Sequence, residues 1–409
     1  MKETMEELRH PDWWRTDEIL ARLVRDLVAA ELAAARPARQ LAPSPSWPAD
    51  LDLAADLGAD SLELMSAATS LADLLGFARA GMDDALLART RLSDWTATAR
   101  ASLTREDSVL TFRTSGSSGT PKRCAHALAD LWREVEELAR LLPGRRRVLT
   151  AVPAHHIYGF LFTVLLPQAG QAPLPVVDLR ASSPAALAAQ LEAGDLVVAH
   201  PDFWNAVAAL APAFPADVAG VSSGAPCPDP TARTLAAGGL CLLQVYGSSE
   251  TAGVGTRDAA GEPYRLLPYW RRGAVENTIE RDDAGGAFAL QDRLAWSDDR
   301  HFLPTGRIDA AVQVGGTNVH PAYVAEVLAL HPGVRACAVR LMRPDEGARL
   351  KAFVVATEGF APAPLREELA AWIAERLTPP ERPAAFSFGP ALPRQPGGKP
   401  ADWIIDAWE

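Results

Sequence analysis

The stretch Thr114-Ser115-Gly116-Ser117-Ser118-Gly119-Thr120-Pro121-Lys122 sets two glycines, hydroxyl side chains and a lysine in close succession. Glycines let backbone N–H groups close around an anion, hydroxyls add donors, and Lys122 adds a point charge, which is the chemistry of holding phosphate oxygens. Thr120 and Pro121 separate Gly119 from the lysine, so this is not a Walker A loop. A flexible Ser/Gly loop is the plain alternative, and the reading of strand, loop, lysine and helix in that order speaks against it. The lysine itself stands out. Of 40 cationic residues only Lys2, Lys122, Lys351 and Lys399 are lysines, so one that persists among arginines points to a chemical requirement.

Several elements must position these groups. From Ser108 onward short apolar runs alternate with helical ones. Strands are expected at 109–113, 148–153, 196–199, 218–222 and 240–246, and helices at 128–142, 185–191, 203–210 and 231–237. Alternation of this kind builds a mostly parallel sheet covered by helices, with ligands at the C-terminal strand ends. After Asp309 a smaller α+β unit is expected, with strands at 336–341 and 350–356, helices at 322–330 and 365–377, and a glycine- and proline-rich tail.

The first hundred residues read differently. They hold 11 Lys/Arg and 17 Asp/Glu, over half of the net charge of −11, which suggests a separate acidic domain. Leu20, Leu23, Val24 and Leu27 recur at helical spacing, a proline-rich loop follows, and Leu64, Ala68, Leu71 and Leu75 resume the period. Asp60 and Ser61 stand where a helix N-cap belongs. Residues 1–100, 108–308 and 309–409 are thus three expected domains.

Composition bounds the rest. With 48% hydrophobic and 22% charged residues the chain is globular, and its acidity argues against non-specific nucleic-acid binding. No apolar run is long enough for a membrane span and no signal peptide opens the chain, so a cytoplasmic protein is expected. Four scattered cysteines show neither zinc spacing nor a disulfide framework.

At the glycine-rich loop the sequence resembles the adenylate-forming superfamily of acyl- and aryl-CoA synthetases, luciferases and nonribosomal adenylation domains. Further motifs follow in the family's order from Ser108 to the C-terminus. Ser222-Ser223-Gly224-Ala225-Pro226 resembles the adenine-side loop and Tyr246-Gly247-Ser248-Ser249-Glu250 the aromatic-Gly-x-Thr-Glu motif. Thr305-Gly306-Arg307-Ile308-Asp309 resembles the hinge region, Gly315-Gly316 the following loop, and the segment from Pro393 to Lys399 the terminal lysine motif.

The resemblance implies an α/β protein with a shortened adenylate-forming core and a C-terminal lid. It implies that Lys399, Glu250 and Lys122 are catalytic, and that Thr114 to Thr120, Gly224, Ala225, Pro226, Tyr246, Gly247, Ser249 and Arg307 bind ATP. In it Glu250 holds Mg, Arg307 reaches the nucleotide, Asp309 is the hinge of the rotating lid, and Lys399 bridges substrate carboxylate and α-phosphate. Tyr246 suits stacking on a purine and Glu250 a hydrated magnesium ion, against the plainer reading of Glu250 as a solvated loop carboxylate and Arg307–Asp309 as a surface ion pair. The family's ribose-binding aspartate motif is not recognisable, and Asp292 is the best placed substitute. Gln313 stands where many relatives carry lysine.

His156, Tyr158 and Gly159 lie in a segment resembling the family's acid-pocket wall, although a satisfied core histidine is the alternative for His156. No aspartate stands there to hold an ammonium group, so a non-amino carboxylic acid is favoured, aromatic or medium acyl. Leu57-Gly58-Ala59-Asp60-Ser61-Leu62 resembles the phosphopantetheine attachment motif of acyl carrier proteins, which would make Ser61 the modified serine. The first expectation is therefore a ligase that loads a phosphopantetheine thiol, of a carrier protein or its own carrier-like domain. The alternatives are an acyl- or aryl-CoA ligase using free CoA, and a non-catalytic nucleotide-binding scaffold.

Overall fold

In the computed structural model the chain is described over residues 11–36, 41–82, 84–86, 88–114, 122–282, 286–315, 317–395 and 400–405. The first helix, α1 (Asp17–Ala35), buries Leu20, Leu23, Val24 and Leu27, as their spacing demands, and buries Arg22 and Asp26 on the same side. The chain returns as α2 (Ser61–Leu75), α3 (Phe77–Ala80) and α4 (Leu92–Arg105). Asp60 caps α2: its carboxylate accepts the N–H groups of Leu62 and Glu63 at 2.9 Å, and Glu63 accepts that of Asp60 at 2.9 Å. This capping box contributes about 1 kcal/mol and makes Ser61 the first helical residue rather than the cap.

The expected separate acidic bundle takes another form. Buried side chains of α1, α2 and α4 belong to one hydrophobic cluster with those of the sheet, including Val148, Leu196 and Val221. Trp13 meets Phe160 edge-on at 5.1 Å between centroids. Helical periodicity states which face is buried and not what lies against it, and here the partner is the rest of the chain.

Strands β1 (Val109–Thr114) and β2 (Lys122–Ala127) pair antiparallel, Thr114 opposite Lys122. The glycine-rich loop therefore joins two strands, not a strand and a helix, and α5 (Leu128–Leu141) begins only afterwards. The alternation of buried Cys124 and His126 with exposed neighbours is the period-2 signal of a half-buried strand. Next come β3 (Arg147–Thr150), α6 (Ile157–Phe160) running on into a π-helical turn at Leu161–Leu165, β4 (Val176–Asp178), β5 (Asp195–Ala199), α7 (Pro201–Ala208), β6 (Ala219–Ser222), α8 (Asp229–Ala237) and β7 (Cys241–Ser248). The helix expected at 185–191 is a single 3-10 turn, Pro184–Ala186, with Leu187 and Leu191 buried beyond it and the Gln190 carbonyl accepting from the Arg147 guanidinium.

After β7 the chain reverses into β8 (Ala252–Arg257) and β9 (Tyr264–Leu266), makes a small sheet of β10 (Trp270–Arg272), β11 (Thr278–Arg281) and β12 (Ala287–Ala289), and adds β13 (Asp292–Trp296) and β14 (His301–Arg307). The main sheet runs β13-β14-β9-β8-β7-β6-β5-β3-β4. Strands β7, β6, β5, β3 and β4 are mutually parallel, whereas β8, β9, β14 and β13 join antiparallel. The sheet is mixed rather than mostly parallel: the short connections from β7 to β8, β8 to β9 and β13 to β14 permit only antiparallel pairing, and β14 returns antiparallel beside β9.

Beyond Asp309 lie β15 (Val312–Val314), β16 (Thr317–Val319), α9 (Pro321–Ala329), β17 (Val334–Leu341), β18 (Leu350–Ala356), α10 (Pro362–Arg376) and β19 (Ala385–Phe388). Strands β17, β18 and β19 form a three-stranded sheet whose buried face, with α9 and α10, makes a second cluster of its own. Lys351 is fully buried on the opposite face of β18, beside Phe353, Val355 and Trp403, bonded to Glu346 at 2.6 Å and 3.2 Å from Asp402, so this lysine serves the interior of the C-terminal region.

One buried charge ties α5 to the sheet. Glu134, 2% exposed, accepts the Gly253 N–H with both carboxylate oxygens at 2.9 and 3.0 Å, at the start of β8. Burial pushes this carboxyl up to about 7, against the pull of the Gly253 N–H and Arg281. A carboxyl whose folded pKa lies above its unfolded 4.5 stabilises the fold most below pH 4.5 and loses that contribution as pH rises through 7. The full swing is about 3 kcal/mol. Glu134→Gln removes it, so thermal unfolding followed from pH 5 to pH 8 should show a smaller decline in Tm than wild type; parallel profiles would disprove the linkage.

Candidate active site

Strand ends bring the predicted groups together. Tyr246 lies near the end of β7, and its hydroxyl donates to Asp292 Oδ2 on β13 at 2.9 Å, joining two residues 46 positions apart. Its ring packs edge-on to Phe302 at 5.2 Å and tilted to Tyr264 at 5.8 Å, which fixes the plane it offers to a ligand. Asp292 stands opposite Arg307 in the β13–β14 register. Burial pushes the Asp292 carboxyl up, and the Tyr246 hydroxyl and Arg307 counter it only in part. Arg307 donates through Nε to Asp309 Oδ1 at 2.9 Å, and Asp309 also accepts the Ala311 N–H at 3.1 Å. These donors hold the Asp309 carboxyl below its usual range. Between them Ala310 has φ +57°, a strained left-handed conformation for a residue with a side chain, and it lies immediately after the expected hinge residue.

Glu250 follows the turn out of β7. Its Oε1 accepts from Lys122 Nζ at 2.9 Å, joining the loop lysine to the expected metal carboxylate across 128 positions. Burial alone raises the Glu250 carboxyl, but the Lys122 ammonium and the Ser248 hydroxyl outweigh it, so the group is ionised. The same contact raises the Lys122 ammonium. An ionised carboxylate with a quarter of its side chain exposed suits a hard, hydrated cation such as Mg. Among the described residues no group of three or more His, Cys, Asp or Glu is arranged to hold a metal. The donor set is a single carboxylate, which leaves the remaining positions to phosphate and water.

The turn is held from behind. A Cβ on Gly247 would fall 2.1 Å from the Ala252 carbonyl oxygen, so only glycine lets β7 and β8 close there. His126 of β2 donates its Nε2–H to the Ser249 carbonyl at 2.7 Å, with burial keeping the ring neutral. Ser223 Oγ donates to the Val245 carbonyl at 2.9 Å and fastens the 222–226 loop, with Gly224 at φ +85° and half-buried Ala225 and exposed Pro226 beside it. His126 and Glu134 were not among the sequence candidates. The readable signals were a histidine on the buried side of an alternating strand, and a carboxylate within the stripe Leu131, Val135, Leu138 of α5.

The acid-pocket segment follows β3. His156 is exposed with its ring 4.1 Å from that of His155, whose imidazole is pushed well below its usual range by burial, then by His156 and Arg180. The Tyr158 hydroxyl lies 2.9 Å from the Ala199 carbonyl and 3.0 Å from that of Val221, so it braces the segment against the ends of β5 and β6. Gly159 is required, since a Cβ would meet the Pro153 oxygen at 1.9 Å. Ser61 is exposed on α2, which packs on α1 and β1, and Arg36 clamps the preceding loop at the Leu57 and Gly58 carbonyls, 2.8 and 2.9 Å away. Gln313 bonds Asn318 across the β15–β16 pair. Thr114 ends β1, whereas Ser115, Gly116, Ser117, Ser118, Gly119, Thr120, Gly316 and Lys399 lie outside the described residues.

The comparisons with known proteins bear on the family. Residues 31–271 match the model of the AMP-binding enzyme family, and residues 323–399 match that of the AMP-binding enzyme C-terminal domain. The first match includes α2 and α4, and with them the segment around Ser61 that resembles a carrier motif. Proteins named 4-coumarate–CoA ligase are similar along nearly the whole chain: that of Halorhodospira halophila is 40% identical, covering 94% of this chain and 98% of its own, and that of Rhodobacter capsulatus is 39% identical, covering 94% and 100%. The short core is thus shared with these relatives. Among solved structures, a malonyl-CoA ligase complex matches at TM-score 0.58 and 24% identity, over 70% of this chain and 71% of that one. An amide bond synthetase from Marinactinospora thermotolerans matches at TM-score 0.58 and 20% identity, over 93% and 92%. With two family models matched in order and relatives aligned end to end, the chain belongs to the AMP-binding enzymes of the adenylate-forming superfamily.

Proposed function

We propose that this protein is an ATP-dependent ligase that adenylates a non-amino carboxylic acid, aryl or acyl, and transfers it to the thiol of CoA. The observation that carries the reading is the pairing of Lys122 with Glu250 and of Tyr246 with Asp292 at one end of the sheet, in the order the family's motifs prescribe. The working parts are a catalytic body up to residue 308 and a lid from Asp309 onward.

The first step breaks the bond from the α-phosphorus to pyrophosphate while a substrate carboxylate oxygen attacks from the opposite side. The protein's task is to position and to neutralise charge. Lys122 and Glu250 satisfy one another, and a partly exposed ion pair is worth about 1 kcal/mol, so phosphates exchange it at little cost. Lys122 then turns to phosphate oxygens. Glu250 is the residue to hold Mg, which when bound supplies positive charge against the phosphates. Tyr246 and Asp292 present the purine and ribose side, Arg307 adds a cation, and Lys399 of the lid bridges carboxylate and α-phosphate. In the second step the thiol sulfur attacks the acyl carbon, AMP departs and the thiol proton is lost.

Transfer to a carrier thiol is the weaker reading. A carrier must swing its arm, and α2 shares a core with the sheet. Free CoA also accords with the names of the relatives.

Acid-dependent pyrophosphate release, measured with MgATP over benzoic, cinnamic and fatty acids, should appear with one group of acids. Lys399→Ala should lower it roughly 10²–10³-fold, by analogy with loss of one preorganised donor. Tyr246→Phe, which leaves Asp292 unpaired, should raise KM for ATP by about fivefold, the equivalent of one hydrogen bond. Rates untouched by both changes would refute the site. Ser61→Ala should leave CoA thioester formation at the wild-type rate, and coexpression with a phosphopantetheinyl transferase should add no mass; a lost rate together with a mass gain would restore the carrier reading.

A further inference from the structure

Helix α1 buries two charged residues in a stripe that otherwise holds Leu20, Leu23, Val24 and Leu27. Arg22 is 6% exposed and Asp26, one turn later, 2%. Burial of a charge is strongly unfavourable unless partners satisfy it, and apolar residues of similar volume commonly serve stability as well or better. What the two charges hold is therefore informative.

Both are aimed at the same segment. Asp26 Oδ2 accepts the Ala154 N–H at 2.8 Å, while Oδ1 accepts from Ser44 Oγ at 2.9 Å and from Arg180 at 2.7 Å. Arg180 in turn donates through Nε to Asp178, at the end of β4, at 2.9 Å. Arg22 donates to Thr163 Oγ1 at 2.9 Å and also to the Thr163 carbonyl, and the Thr163 hydroxyl donates in turn to the Gly159 carbonyl at 2.7 Å. Thr163 lies in the π-helical turn, a geometry that recurs at functional sites. Residues 154 and 163 are thus both pinned by α1, and between them lie His155, His156, Tyr158 and Gly159. Within that span His155 Nδ1 is buried and has no hydrogen-bond partner among the described residues, a polar atom left over by the packing.

We propose that Asp26 and Arg22 are positioning residues for the carboxylic acid substrate, holding the His155–His156 segment at the ends of the parallel strands from behind. This rests on the ligase reading above. It gives α1 a role in acid recognition that nothing in the motif sequence announces. Neither residue touches the nucleotide side, where Tyr246, Asp292 and Arg307 have their own contacts.

The test separates the two substrates kinetically. Full-length Asp26→Asn keeps the side-chain shape but removes the charge facing Arg180, and Thr163→Val removes the hydroxyl that joins Arg22 to Gly159. Pyrophosphate release should show KM for the acid rising about tenfold in Asp26→Asn and about threefold in Thr163→Val, with KM for ATP within about twofold of wild type, since a small misplacement of binding groups is enough for such losses. Both KM values rising together, or neither moving in folded variants, would overturn the proposal; if circular dichroism finds Asp26→Asn unfolded, Thr163→Val decides alone. A wild type that binds MgATP but releases no pyrophosphate with any acid would overturn the ligase reading and this proposal with it. An active wild type with unsplit variants overturns the positioning role only.

Discussion

Between Ser248 and Ala252 the chain reverses in three residues, and the rest of the site is arranged around that reversal. Up to β7 the sheet is parallel, so its strand ends point the same way and gather loops at one edge. The turn to β8 stops that progression and leaves Tyr246 on one side and Glu250 on the other. Three groups keep the turn closed from different elements: the missing side chain of Gly247, the His126 ring of β2, and the Glu134 carboxylate of α5. A carboxylate at the tip can be set accurately only because its base is rigid.

Charge is distributed by the same logic. The acidic and basic groups facing the strand ends pair with one another, Lys122 with Glu250 and Arg307 with Asp309. Such pairs keep every group ionised without a large commitment of energy, because they sit partly in water. The deeply buried ionisable groups, Glu134, Asp26 and Arg22, differ in kind. They face backbone N–H and carbonyl groups or an opposite charge, and each ties a helix to another element: Asp26 to the loop at Ala154, Arg22 to the π-helical turn at Thr163, and Glu134 to β8 at Gly253.

Much of this was legible in the sequence. Loop motifs carry their chemistry in residue type and order, which survive any uncertainty about packing, so Lys122, Glu250, Tyr246, Asp292, Arg307 and Asp309 were nameable before any coordinates. Strand positions at 196–199 and 350–356, and the helix at 128–142, followed from apolar period and length. Arg22, Asp26, His126 and Glu134 were overlooked because a charged residue inside an apolar stripe reads as noise until its partner is known.

The sequence by itself determined the family, the order of its motifs and the apolar faces of α1 and α2, because all three are properties of local residue type and spacing. Tertiary structure decided the rest. Strand direction beyond β7 depends on which neighbour offers its edge, and that choice made the sheet mixed. The covering of α1 and α2 depends on which surface lies opposite, and it joined to the core a bundle that reads in isolation as a separate acidic domain. Period reports that a face is buried, and only the folded chain supplies what it is buried against.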